Sequence, residues 1–112
     1  MINVQNLRRW IAALRSRKYK QIRGELYGGN EKECCAFGVA GAELLGASND
    51  NYRSSSTIED VLGIDVYKDV VFLNDCKKLK FYQIARWLER KFKNELAKGK
   101  GVRRDIARGT KA

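Results

Sequence analysis

Phe81, Ile84, Ala85, Leu88, Phe92 and Leu96 recur at intervals of three, one, three, four and four. Only an α-helix places such positions on one face, so the spacing predicts a helix over about 80–98. Trp87 sits at the edge of this stripe, and Arg86, Arg90, Lys91 and Lys93 surround it. Val4, Leu7, Ile11 and Leu14 repeat the pattern with Trp10 beside them, which predicts a helix over about 4–17. Asn3 or Asn6 would cap it, and Arg8, Arg9 and Arg15 lie off its apolar face. The chain contains no proline among its 112 residues, so no stretch is barred from being helical.

Between these helices the pattern changes. Tyr19, Gln21, Arg23 and Glu25 alternate with Lys20, Ile22, Gly24 and Leu26, then Tyr27-Gly28-Gly29-Asn30 gives a strong turn signal. This predicts a strand at 20–27 turning back to a second at 32–36. Small apolar residues from Cys35 to Leu45 predict a buried helix ending near Gly46, followed by a polar loop over 47–56. Thr57 is the expected N-cap of a short helix to Gly63, with acids in its first turn. Asp65 is the expected cap of another helix through Leu73, broken by Asn74-Asp75. The expectation is a small α+β domain, mostly α, spanning 1–98, with about four helices and a two-stranded β-hairpin. Residues 99–112 have little to bury and are expected to form a basic, disordered C-terminal extension.

The charge is sorted along the chain. Residues 8–23 hold seven Lys or Arg and no acid, residues 86–112 hold ten against three acids, and residues 24–85 hold six against ten. A basic surface attracts polyanions at long range, whereas evenly mixed charge mostly solubilises. Arg8 and Arg15 are seven apart on one helix face, and Arg17, Lys18, Lys20 and Arg23 continue into the predicted hairpin around Tyr19. Arg86, Arg90 and Lys93 line one face of the last helix, and Lys100, Arg103 and Arg104 extend it into the tail. These twelve are the candidate nucleic-acid contacts: several fixed cations along a surface, plus flexible ones that can track a groove. The plainer alternative is a solvated face of a soluble basic protein. No helix-turn-helix, zinc-finger or aromatic RNA-binding motif appears, so contacts would be backbone-led and weakly sequence-specific.

Other chemistry finds little support. There is no histidine, so a nucleophilic Cys35 at a helix N-terminus would lack the usual base. Burial as a small packing residue is the better reading of Cys35. Three cysteines, two of them adjacent, offer neither a disulfide framework nor a zinc ligand set, so no metal or cofactor is expected. Leu73-Asn74-Asp75 reads as backbone capping within a helix-to-helix connection, and Gly28-Gly29-Asn30 as a hairpin turn without a phosphate-binding motif. The longest apolar stretch, Ala36 to Ala42, falls far short of the ~20 residues of a membrane span. The first ten residues lack an apolar export signal.

Five segments in order carry a resemblance. They are Trp10-Ile11-Ala12-Ala13-Leu14-Arg15-Ser16, Tyr19-x-Gln21, Cys35-Ala36-Phe37-Gly38-Val39, Leu73-Asn74-Asp75 and Phe81-x-x-Ile84-Ala85. Together they resemble a group of small proteins of tailed bacteriophages over residues 10–89. Arg17 departs from that group, which often has glycine there; so do Phe37, where leucine is usual, and Lys80, where serine often caps the last helix. The resemblance implies a phage-encoded protein working in the host bacterial cytoplasm, with association to the virion a further option. It brings no catalytic residues. A non-enzymatic accessory protein binding DNA or RNA is the first expectation, and an inhibitor docking on an acidic host protein is the second. No membrane partner is expected.

Overall fold

A computed structural model describes residues 1–97. The elements are α1 (Val4–Arg15), β1 (Lys20–Gln21), β2 (Glu33–Cys34), α2 (Ala36–Leu45), α3 (Ser55–Leu62), α4 (Tyr67–Val71), a π-helical turn (Phe72–Cys76) and α5 (Phe81–Lys91). The buried centre is α2, where every residue from Ala36 to Gly41 is inaccessible. It packs against α1, α3 and α4, while α5 covers the other side of α1. Trp10 of α1 meets Phe37 of α2 edge-on at 5.7 Å and donates its indole N–H to Ala36 O at 2.9 Å. Phe37 in turn meets Tyr67 of α4 at 5.1 Å. Side chains this large each contribute about 1.5–3 kcal/mol on burial, so this line of rings anchors the core.

α1 starts as expected. Asn3 Oδ1 accepts from Asn6 N at 2.9 Å, and the Asn6 side chain instead donates to Val61 O, tying α1 to α3. The helix stops at Arg15 rather than 17. Arg17 adopts φ +65°, a left-handed conformation that cannot continue a helix and that suits glycine best.

The hairpin expectation is corrected. β1 and β2 pair in parallel, with Lys20 opposite Glu33 and Gln21 opposite Cys34. After Ile22 the chain bends through Gly24, at φ +88°, and crosses to the other edge of β2. There Gly28 N donates to Glu33 O, Cys35 N donates to Leu26 O, and Tyr27 forms a single antiparallel bridge with Cys34. The alternation over 19–26 is therefore real for two residues and broken by the bend. Gly38 and Gly41 then gain a packing reason. A Cβ at Gly38 would overlap Leu26 O, and one at Gly41 would overlap the Tyr27 hydroxyl, so only glycine lets this crossing segment lie on α2.

Four boundaries also differ from expectation. Ser54, not Thr57, caps α3, accepting from Thr57 N at 3.3 Å; the serine run offers a hydroxyl one turn earlier. Asp65 does not cap α4, which begins at Tyr67 with its N–H bonded to Glu59 Oε2 at 3.0 Å. Asn74-Asp75 does not break a helix into a loop. The helix widens into the π-turn, and Lys77 N reaches back to Phe72 O at 3.0 Å. α5 is held at its start by Gln83 Oε1, which accepts from Lys80 N at 2.8 Å, and it is interrupted at Phe92 before helical residues resume at 93–97. The expectations for the tail, including the domain limit near 98 and Lys100, Arg103 and Arg104, lie outside the described residues.

Candidate nucleic-acid interface

The basic residues divide into those committed to the fold and those presented to solvent. Arg8 donates to Leu96 O at 2.8 Å, and its Nε is buried without a partner. Arg15 pairs with Glu89 at 2.7 Å. Arg23 is structural: it donates to Asn74 O at 3.0 Å and Lys78 O at 3.3 Å. Lys18 lies 3.5 Å from Glu43 and borders a separate cavity with Glu31 and Lys32. Arg17, Lys20, Arg86, Arg90 and Lys93 are exposed, with no ion pair among the described residues.

The packing of α1 on α5 brings the two distant basic blocks together. A cavity of about 580 Å³ runs between them, lined by Arg8, Ile11, Arg15, Glu89, Lys93 and Leu96. A second cavity, of about 700 Å³, opens where α1 ends and α5 begins, lined by Arg15, Arg17, Tyr19, Gln21, Lys80 and Tyr82. Arg15 borders both. On α5, Tyr82, Arg86 and Glu89 follow at four and three, so Arg86 lies on one stripe between Tyr82 of the second cavity and Glu89 of the first, and Lys93 of the first follows the interruption at Phe92. The face thus presents the exposed Arg17, Lys80, Arg86 and Lys93 around Arg8, which is tied to Leu96 O, and the Arg15–Glu89 ion pair.

No family model, curated protein or solved structure matches the chain. No helix among the described residues is long and apolar enough to cross a membrane.

Lys80 and Tyr82, which charge sorting alone does not mark as contacts, join the predicted cations in the second cavity. A signal for Tyr82 was present, because it follows Phe81 on the side of α5 away from the apolar stripe. Asn74 has a larger role than local capping. This side chain is fully buried, and all four of its hydrogen-bonding positions are filled. Its Oδ1 accepts from Gln21 Nε2 at 2.8 Å and from Ala36 N at 3.0 Å; its Nδ2 donates to Ile22 O at 2.9 Å and Asp75 Oδ1 at 2.8 Å. Only Asp75 is local, so the capping expectation is corrected: Asn74 joins β1, the start of α2 and the π-turn. Gln21 also donates to Leu79 O at 2.8 Å, which fixes the floor of the second cavity.

Cys35 caps α2, its Sγ accepting from Gly38 N at 3.4 Å. Burial pushes its thiol up to about 11, outweighing the helix N-terminal amides that pull it down, and burial pushes Cys34 up to about 12. Neither can supply a thiolate near neutral pH. At pH 8 a thiol reagent is expected to label one cysteine of the native protein, the exposed Cys76, and all three after denaturation. Rapid native labelling of Cys35, followed by mass spectrometry, would contradict its burial.

Proposed function

We propose that this chain is a phage-encoded, non-enzymatic protein that binds nucleic acid through the α1–α5 face. One observation carries the reading. Arg8 and Arg15 of the N-terminal basic block line one cavity with Lys93 of the C-terminal block, and Arg15 continues into the second, so the two linings together hold a single carboxylate, Glu89. Cations spaced over such a surface suit the regular phosphates of a polynucleotide better than they suit a single anion. The raised thiols of Cys34 and Cys35 and the lack of histidine support a non-enzymatic role. The phage assignment rests on the ordered motifs from Trp10 to Ala85. Arg17 adds to it, since the position where that group often carries glycine has the backbone that favours glycine.

The apolar floor of the first cavity, with Ile11, Ala12, Leu96 and Ala97, favours a second reading. It would suit an acidic host protein better than a nucleic acid. Salt titration separates the two. With about five phosphates engaged, log K for duplex DNA is expected to fall with log salt at a slope of about −4 to −5. A flat response between low and moderate salt, together with specific capture of a host protein, would favour the second reading.

A further inference from the structure

We infer that the cleft beside Tyr82 takes an unpaired base of a single-stranded nucleic acid, stacked on the tyrosine ring while the surrounding cations hold the flanking phosphates. This rests on the nucleic-acid reading and names its substrate. Tyr82 is 53 % exposed, and its hydroxyl makes no hydrogen bond among the described residues. A lone exposed aromatic is ordinary on a protein surface. Its setting is what distinguishes this one. Arg86 stands one turn along α5, and Arg15, Arg17 and Lys80 line the same cleft, whose lining includes no carboxylate.

The cleft is also held in shape before any ligand arrives. Tyr19 forms one wall, and its hydroxyl donates to Glu43 Oε1 at 2.9 Å. Gln21 is fixed by Asn74 and Leu79, and Phe81 is anchored in the core beneath. Tyr82 is the exposed aromatic of this lining, beside half-buried Tyr19 and buried Phe81. In a duplex the base faces are already stacked and only the edges show in the grooves, so the ring has nothing to meet. In a single strand the faces are available, and stacking on an aromatic platform between cations tolerates any base. The contacts are to base faces and phosphates, so deoxyribose and ribose strands are expected to serve alike.

The test measures binding of the full chain by fluorescence anisotropy with three probes: oligothymidylate and oligouridylate of about 12 nucleotides, and a mixed-sequence DNA duplex of similar length. Tyr82→Ala is expected to weaken binding of both single strands about 5- to 100-fold while duplex binding stays within about twofold. Tyr82→Trp is expected to retain or tighten single-strand binding, and thermal melting establishes that each variant folds. If Tyr82→Ala binds the single strands as well as the parent chain, or loses duplex and single strands equally, the stacking inference is overturned while the basic-face reading stands. If the parent chain binds none of the three probes at low salt, the nucleic-acid reading itself fails, and the inference with it.

Discussion

Reversing Arg86, Arg90 and Lys93 to glutamate together is expected to lower affinity for DNA and RNA about a hundredfold or more at low salt. Arg86 and Arg90 are exposed on α5 and Lys93 is exposed just beyond it, and none of the three is ion-paired among the described residues. Each reversal changes two charges, so the net charge falls from +10 to +4. The loss is larger than that count suggests, because it is concentrated where the two basic blocks meet. Three new carboxylates would then confront the phosphates beside Glu89, against the remaining cations Arg8, Arg15, Arg17 and Lys80. Stability should hardly move, since surface substitutions usually cost within ~0.5 kcal/mol each. Anisotropy and thermal melting on the same preparation read both quantities. A folded triple variant that still binds normally would reduce this face to a solvated surface and bring the host-protein reading forward.

The second large effect is on stability. Asn74→Ala is expected to destabilise the protein by about 3–6 kcal/mol. It strands the Ala36 N–H and the Ile22 carbonyl in the core, and each buried unsatisfied group costs about 1–3 kcal/mol, with the vacated volume adding to this. A domain of this size has only about 5–15 kcal/mol in total, so the variant should melt far below the parent or fail to fold at room temperature. Gln21→Ala provides the graded comparison. Its amide is only half-buried, so water can replace part of what is lost, and the cost should be about 1 kcal/mol. Urea titration of both variants measures the difference. Equal, small effects would mean that Asn74 does not hold β1, α2 and the π-turn together.

The elements that could be read from the sequence are those specified by neighbours. The stripes of α1 and α5 rest on spacings of three and four, a purely local property of the helix, and the apolar run of α2 signalled its burial in the same way. Asn3 as a cap depended on a residue three positions on. Boundaries were misread where several residues could cap equally well, as in the run Ser54-Ser55-Ser56-Thr57. The turn after Tyr27 was visible, but the direction of pairing was not. A bend at Gly24 carries the chain to the other edge of β2, and its consequence depends on α2 lying beneath, where Gly38 and Gly41 make room.

The candidate site divides along the same line. Sequence alone determined that the chain carries two basic blocks around an acidic middle, that it has no histidine, and that it forms amphipathic helices at both ends of the described residues. Only the tertiary structure decided which cations belong to the fold and which face outward. Arg8, Arg15 and Arg23 find partners at Leu96, Glu89 and Asn74, between 51 and 88 positions away. It also decided that Tyr82 and Lys80 join Arg17 in one cleft, and that Asn74 binds the backbone of Ile22, just past β1, and of Ala36 in α2. Charge and periodicity accumulate along the chain and can be counted there. A hydrogen-bond partner or a shared cavity depends on which distant segments the core brings within about 3 Å, and no local spacing encodes that.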